Sequence, residues 1–363
     1  MQNVKTEIYG TFGPACKSRE VLEEMIKAGM TGMRLNLSHT TLEKSKDYID
    51  NYKTAAQNQR VTPQILIDMQ GPELRVGDMQ ECFLKEGDHI LLKKAEHYIS
   101  HEQKEKTACC QSGNLESDFS KDNKDVSCVR KEIPVPAEVL SAIKAENEVL
   151  LDDGKIKICV EEVTSGGAFA KVLMGGVLKP HKSIKIVNVT VSMPVLTEHD
   201  IQNIRLAKEY GVTALMQPFV FSGEDLKQVR EKLKEEKAEH LQIFAKIENR
   251  IGVEHLETIL PQADLVVIAR GDLGNDMPLW ELPAVQKQIE RTCKKYSKPY
   301  MVVTQMLASM EQNPVPTRAE VSDIFHAVYH GAKAVMVTGE TAVGKYPVEA
   351  IRYLANTANS VQN

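Results

Sequence analysis

The residues best able to do chemistry in this chain lie between Ile243 and Gly274, where IFAKIENR and ADLVVIARGDLG flank an amphipathic segment. Two apolar runs of strand length end abruptly in charge. The first delivers Lys246 and Glu248, the second Arg270 and Asp272 with Gly271 between them. Apolar residues from Val253 to Leu260 recur near helical spacing, so the whole piece reads strand–helix–strand. Glu248 and Asp272 then end neighbouring strands at one rim, placed to share a divalent cation, with Lys246 beside them. A cation and a lysine at such a rim suit a phosphate or an enolate. Gly271 and Gly274 permit close backbone approach, and a helix opening there would offer free N–H groups to a carboxylate.

Similar endings occur elsewhere. Met30 to Leu35 closes on Arg34, Asn36, Ser38 and His39; Gln64 to Ile67 closes on Asp68, then Gln70, Glu73 and Arg75; Tyr300 to Val303 closes on Thr304. A single charged residue after a strand is ordinarily a solvated loop residue, and His39 alone is as readily a polar packing group. A set of basic and acidic groups at successive strand ends is better explained by a shared site for metal-assisted phosphoryl transfer. The GETAVGKYP run lacks the Gly-rich spacing of a nucleotide loop.

The elements that must position these groups alternate. Glu7 to Thr11 reads as a strand, Arg19 to Ala28 as a helix capped by Ser18, and Leu42 to about Gln57 as a polar helix. After Thr197-Glu198-His199-Asp200, a capping box, strands are expected at Val212–Met216, Ile243–Ala245, Leu265–Ile268, Tyr300–Val303 and Ala334–Val337. Helices are expected from Ser222 to about Lys237, from Leu279 to Tyr296, from Thr317 to about His330 and from Pro347 to about Asn359. Eight strand–helix units predict an α/β fold, a (β/α)8 TIM barrel. Between Val76 and Pro194 short β-segments replace this rhythm: ECFLKEGDHILLKK, EVLLDDGKIKICVEEV, AFAKVLMGG and IKIVNVTV, with Asp153-Gly154 as a hairpin turn. The stretch Ser100 to Cys128 is almost purely polar and is expected to be loop or irregular hairpin. The predicted organisation is barrel over 1–75, an inserted β-rich lid over 76–194, and barrel again over 195–363.

A chain of 363 residues with 42% hydrophobic and 26% charged residues is ordinary for a globular protein. Its net charge of −5 argues against a dominant nucleic-acid footprint. No run reaches the roughly 18 apolar residues of a membrane span. Seven scattered cysteines, with no zinc spacing and no signal peptide at the start, point to a reducing, cytoplasmic setting.

These same residues carry a strong resemblance to the pyruvate kinase family. The blocks GTFGPACKS, MIKAGMTGMRLNLSH, IDMQGPELRVG, LLDDGKI, IFAKIENRIGV, ADLVVIARGDLG, VVTQMLASM, TRAEVSDIFHAV and TGETAVGKYPVEA run almost end to end in family order. The resemblance implies a glycolytic phosphotransferase that turns phosphoenolpyruvate and ADP into pyruvate and ATP, with Mg²⁺ or Mn²⁺ and usually K⁺. It implies that Glu248 and Asp272 hold the divalent ion, that Lys246 and Arg34 stabilise the phosphoryl group, and that Thr304 sits where a proton reaches the enolate. Gly271 and Asp272 amides would bind the substrate carboxylate. Asn36, Ser38, Asp68 and the Met69 carbonyl would ligate K⁺, with Glu73 the residue type of K⁺-dependent members. Thr11, Pro14, Asn36, His39, Arg75 and Lys182 would face the nucleotide.

Several positions depart from the family pattern. Met69-Gln70 stands where Thr-Lys is usual, Thr40 where Gly is usual, and Pro218-Phe219-Val220-Phe221 where Ser-Phe-Val-Arg is usual. Lys182-Ser183-Ile184-Lys185 is the nearest counterpart of a Lys-Gly-Val-Asn block. Losing one charge-assisted contact costs roughly 1.5–3 kcal/mol, or about 10- to 150-fold in rate if felt only in the transition state. Nucleotide handling is therefore expected to be weakened or altered. Two other readings use the same residues: a metal-dependent oxoacid or enolate enzyme of aldolase or decarboxylase type that needs no nucleotide, and a non-catalytic binding protein on the same scaffold. The sequence given stops at Asn363 after the last barrel helix. Effector regulation through a C-terminal domain is thus not expected, and any homo-dimer or homo-tetramer would use the barrel or the lid.

Overall fold

The computed structural model describes residues 5–361 apart from His39, residues 96–130, Asp153, Asn188, Thr190 and Ser192. Among these residues the chain divides into two compact units, one comprising residues up to Pro72 and from Pro194 onward, the other Glu73–Met193. No helix of the described residues is long and apolar enough to cross a membrane. Cys16, Cys82, Cys159 and Cys293 are free thiols.

The first unit is a closed parallel barrel in which each strand pairs with its sequence neighbours and the first meets the last. Its eight strands are Glu7–Thr11, Gly32–Asn36, Gln64–Asp68, Ala214–Gln217, Gln242–Ile247, Leu265–Ala269, Tyr300–Val303 and Ala334–Met336. Pleating sends successive side chains to opposite faces. Leu265, Val267 and Ala269 join Tyr9, Leu66, Met216, Phe244, Met301 and Met336 in the barrel interior. Val266 and Ile268 face outward into the larger core beneath the helices. Helices follow because their apolar residues form one stripe with a capped start. Ser18 accepts from the Val21 amide, and Thr197–Asp200 and Thr317–Glu320 form capping boxes.

Three expected boundaries differ in the structure. The helix after the second strand begins at Lys46 rather than Leu42; residues 42–45 form turns, and the Leu42 amide donates to Asn203 Oδ1 at 2.9 Å. The amphipathic segment after Glu248 is two short helices, Arg250–Glu254 and Leu256–Ile259, broken at His255. The helix expected from Leu279 starts at Leu282, with a proline in its first turn. Leu279 and Trp280 stay outside it and exposed.

The second unit holds a six-stranded sheet and a two-stranded one. Ile156–Thr164 pairs antiparallel with Glu148–Leu151 and Gly167–Met174. Ile156, Ile158 and Val160 are buried in a core of their own with Ile90, Leu92, Ile133 and Val149. The strand Lys131–Val135 and the short helix Ala137–Ala142 were not expected. The proposed Asp153-Gly154 turn falls partly outside the described residues, as does all of the Ser100–Cys128 stretch.

Gly32 shows how tightly the barrel interior is filled. A Cβ there would stand 2.3 Å from Tyr9 Cε1 and 3.0 Å from Gln64 Cβ. Gly32→Ala should therefore cost about 1–3 kcal/mol by overpacking, seen as a lower urea midpoint at unchanged slope. An unaltered midpoint would show that the Tyr9 ring has room to move.

Candidate active site

The period-two alternation that fills the barrel also loads its upper rim. Two residues beyond interior Phe244 comes Lys246; two beyond interior Leu66 comes Asp68; two beyond Gly32 comes Arg34. Each of these strands thus ends with a charged group pointing into the mouth. The Asp68 carboxylate is their meeting point. Arg34 donates to its Oδ2 from Nε at 2.9 Å and also from Nη2. Lys246 Nζ stands 3.3 Å from Oδ1 of Asp68 and 2.7 Å from Oε1 of Glu248. The other Glu248 oxygen accepts the Phe219 amide at 3.0 Å.

All four side chains are largely withdrawn from solvent, with exposures of 13% for Arg34, 4% for Asp68, 14% for Lys246 and 3% for Glu248. Burial alone would push the Asp68 carboxyl up, but Lys246 and then Arg34 outweigh it and hold the group below its usual range. Burial likewise disfavours the Lys246 ammonium. Asp68 and Glu248, with a further pull from Asp272, overcome it and raise the pKa above the ordinary lysine value. Lys246 is therefore a fixed positive charge and not a proton donor near neutrality.

Asp272 and Gly271 open the short helix Arg270–Asn275 at the end of the sixth strand. This is the helix that the glycine spacing allowed for. Asn36 Oδ1 accepts the Ser38 amide at 3.1 Å, which folds these two residues together at the end of the second strand. The Met69 side chain is buried, and its amide donates to Met216 O. Thr11 is buried at the seam between first and eighth strands. Its hydroxyl donates to Val337 O at 3.0 Å and its amide to Thr341 Oγ1 at 2.8 Å. Pro14 is exposed in the turn that follows.

Arg270 does not join the Arg34–Lys246 group. Its guanidinium turns to the seventh strand, donating from Nε and Nη2 to Thr304 O at 3.1 and 2.7 Å and from Nη1 to Asp323 at 2.7 Å. Arg75, Glu73 and Lys182 belong to the second unit. There Arg75 pairs with Glu73 and donates to His181 O at 2.7 Å, while Lys182 pairs with Asp152 at 2.9 Å. His39 lies outside the described residues.

Other groups that build the site escaped sequence reasoning. Asp200, wholly buried, accepts the amides of Gln70 and Gly71 as well as the amide and hydroxyl of Thr197 in its own capping box. Glu340 accepts the Leu307 amide at 3.0 Å and the Thr338 amide at 2.7 Å. Asp323 anchors Arg270 from a helix distant in sequence. The capping box marked Asp200 and the strand end marked Glu340, but nothing in the sequence pairs Asp323 with Arg270.

The comparisons with known proteins agree with this architecture. The profile of the pyruvate kinase barrel domain matches residues 3–351. The pyruvate kinase of Staphylococcus epidermidis is 36% identical over 360 residues, which is 99% of this chain and 57% of that protein. The Staphylococcus haemolyticus pyruvate kinase is 37% identical over 360 residues, again 99% and 57%. That of Geobacillus stearothermophilus is 36% identical over 358 residues, 98% of this chain and 56% of the relative. The chain thus spans a little over half the length of the curated relatives it matches. A barrel of this topology, matched along nearly its whole sequence, belongs to the pyruvate kinase family, of which it carries the barrel domain.

Proposed function

We propose that this chain carries a phosphoryl-transfer centre that converts phosphoenolpyruvate and ADP to pyruvate and ATP. The observation that carries the reading is the buried group in which Asp68 and Glu248 hold Lys246 and Arg34 in one place at the barrel mouth. Two cations fixed before the substrate arrives need no reorganisation as charge develops on a phosphoryl group in flight. In the reaction the phosphorus–enol oxygen bond breaks, a bond to the terminal oxygen of ADP forms, and an enolate is left. Lys246 and Arg34 stabilise the moving phosphoryl. The amides of Gly271 and Asp272 at the helix opening receive the substrate carboxylate. Thr304 lies at the face where the enolate carbon takes its proton and becomes the methyl of pyruvate. Thr11, Pro14 and His39 are assigned to the nucleotide side by the family resemblance.

The donor set fits a hard divalent ion. Glu248 and Asp272 would hold Mg²⁺ or Mn²⁺, and among the described residues no group of three or more acidic, His or Cys side chains offers a closed cage. Mg²⁺ is commonly held by one or two carboxylates completed by water and substrate oxygens. When bound, such an ion neutralises charge on the phosphoryl and enolate oxygens. The carboxylates of Asp68, Glu248 and Asp272 outnumber the cations Arg34 and Lys246, which leaves the cluster negative and able to accept it. Asn36, Ser38, Asp68 and the Met69 carbonyl supply the largely neutral oxygens that suit K⁺.

Pyruvate formation should depend on phosphoenolpyruvate, ADP, Mg²⁺ and K⁺ together, and Lys246→Met should lower kcat by about 10²–10³-fold or more. Turnover without ADP would replace this reading with nucleotide-free enolate chemistry. Independently of activity, Glu248→Gln should weaken Mn²⁺ binding by at least about tenfold, read from free Mn²⁺ by electron paramagnetic resonance, because one ligand charge is lost. Equal Mn²⁺ affinity in the variant would remove Glu248 from the metal site.

A further inference from the structure

The end of the seventh strand has an unusual backbone. Thr304 has φ +75° and Gln305 φ +54°, two consecutive non-glycine residues in the left-handed region. For a β-branched residue this conformation is disfavoured and persists only where surrounding contacts impose it. Those contacts are visible. Both Nε and Nη2 of Arg270 donate to the Thr304 carbonyl, and Nη2 also approaches Met306 Sδ at 3.0 Å. The turn from Thr304 to Met306 therefore wraps a single guanidinium. Nη1 of that guanidinium is held by Asp323, and the Arg270 side chain is only 11% exposed. From the other side Gly271 leaves room: a Cβ there would lie 3.1 Å from the Thr304 methyl carbon. Among the described residues no hydrogen bond engages the Thr304 hydroxyl, so the restraint acts on its backbone and leaves the hydroxyl available.

We infer that Asp323 and Arg270 form a positioning pair for Thr304, fixing the left-handed turn that presents its hydroxyl to the enolate, and so govern proton delivery rather than phosphoryl transfer. The inference rests on the function proposed above. In the step concerned, the enolate π pair forms a C–H bond with a proton from the Thr304 hydroxyl, which is re-protonated from water; no electron is gained or lost. Neither Arg270 nor Asp323 touches substrate in this account. Arg270 serves as a fork of fixed geometry, which lysine cannot copy.

The test is a cycle of Arg270→Lys and Thr304→Val, alone and together, with Asp323→Asn as a milder second probe. Arg270→Lys should lower kcat about 10- to 100-fold with KM for phosphoenolpyruvate changed less than about twofold. Its solvent deuterium isotope effect should rise as protonation becomes limiting, and exchange of the pyruvate methyl protons in D₂O should fall in step. In the Thr304→Val background the same substitution should cost under about twofold, since its route of action is gone. Asp323→Asn should shift the isotope effect the same way with a smaller rate loss, and decides the matter if Arg270→Lys does not fold. Equal losses in both backgrounds, or a loss confined to KM with an unchanged isotope effect, overturn the positioning role while leaving the proposed function intact. A folded wild-type protein with no turnover and no methyl exchange overturns the proposed function, and this inference with it.

Discussion

The Asp68 carboxylate is the constraint on which the barrel mouth depends. It is nearly inaccessible to water and lies between Arg34 and Lys246, which come from the second and fifth strands. A lone ionised carboxylate at such depth would be strongly disfavoured, and so would either cation. Together, with Glu248 closing the other side of Lys246, they are mutually tolerable. Removing one partner strands the others, so the four side chains form one unit. The result is a pair of positive charges whose geometry is set before any anion enters.

Holding that geometry requires rigid loops, and the chain fixes them with carboxylates that accept backbone N–H groups. Asp200 ties the loop after the third strand to the start of a helix. Asp225 takes the amides of Phe221 and Ser222 at 2.8 Å each. Glu340 joins the loops after the seventh and eighth strands, and Glu320 holds Ser309 while capping its own helix. Each replaces a solvated loop amide with a charge-assisted bond. Many acidic residues that look like surface charge in the sequence are therefore fasteners.

Much of this was legible from the residues. Apolar runs of strand length followed by charged or polar groups identified the strands from Glu7–Thr11 to Ala334–Met336, and placed Lys246, Asp68 and Arg34 at strand ends. Elsewhere the structure differs from that reading. Leu42 was read as a helix start, but residues 42–45 form turns and the helix opens at Lys46. Arg270 looked like one more cation at the mouth, but its donors are spent on Thr304 and Asp323.

The sequence by itself determined the alternation of strands and helices, the family, and the set of charged groups at the strand ends. Those follow from local periodicity and from motifs that are contiguous in the chain. Only the tertiary structure decided how the charges divide: which cations share Asp68, which carboxylate fastens a loop, and that Arg270 grips a strained turn. Such pairings depend on distances between strands remote in sequence, and barrel closure brings many charges of both signs within reach of one another. Residue type alone does not choose among them.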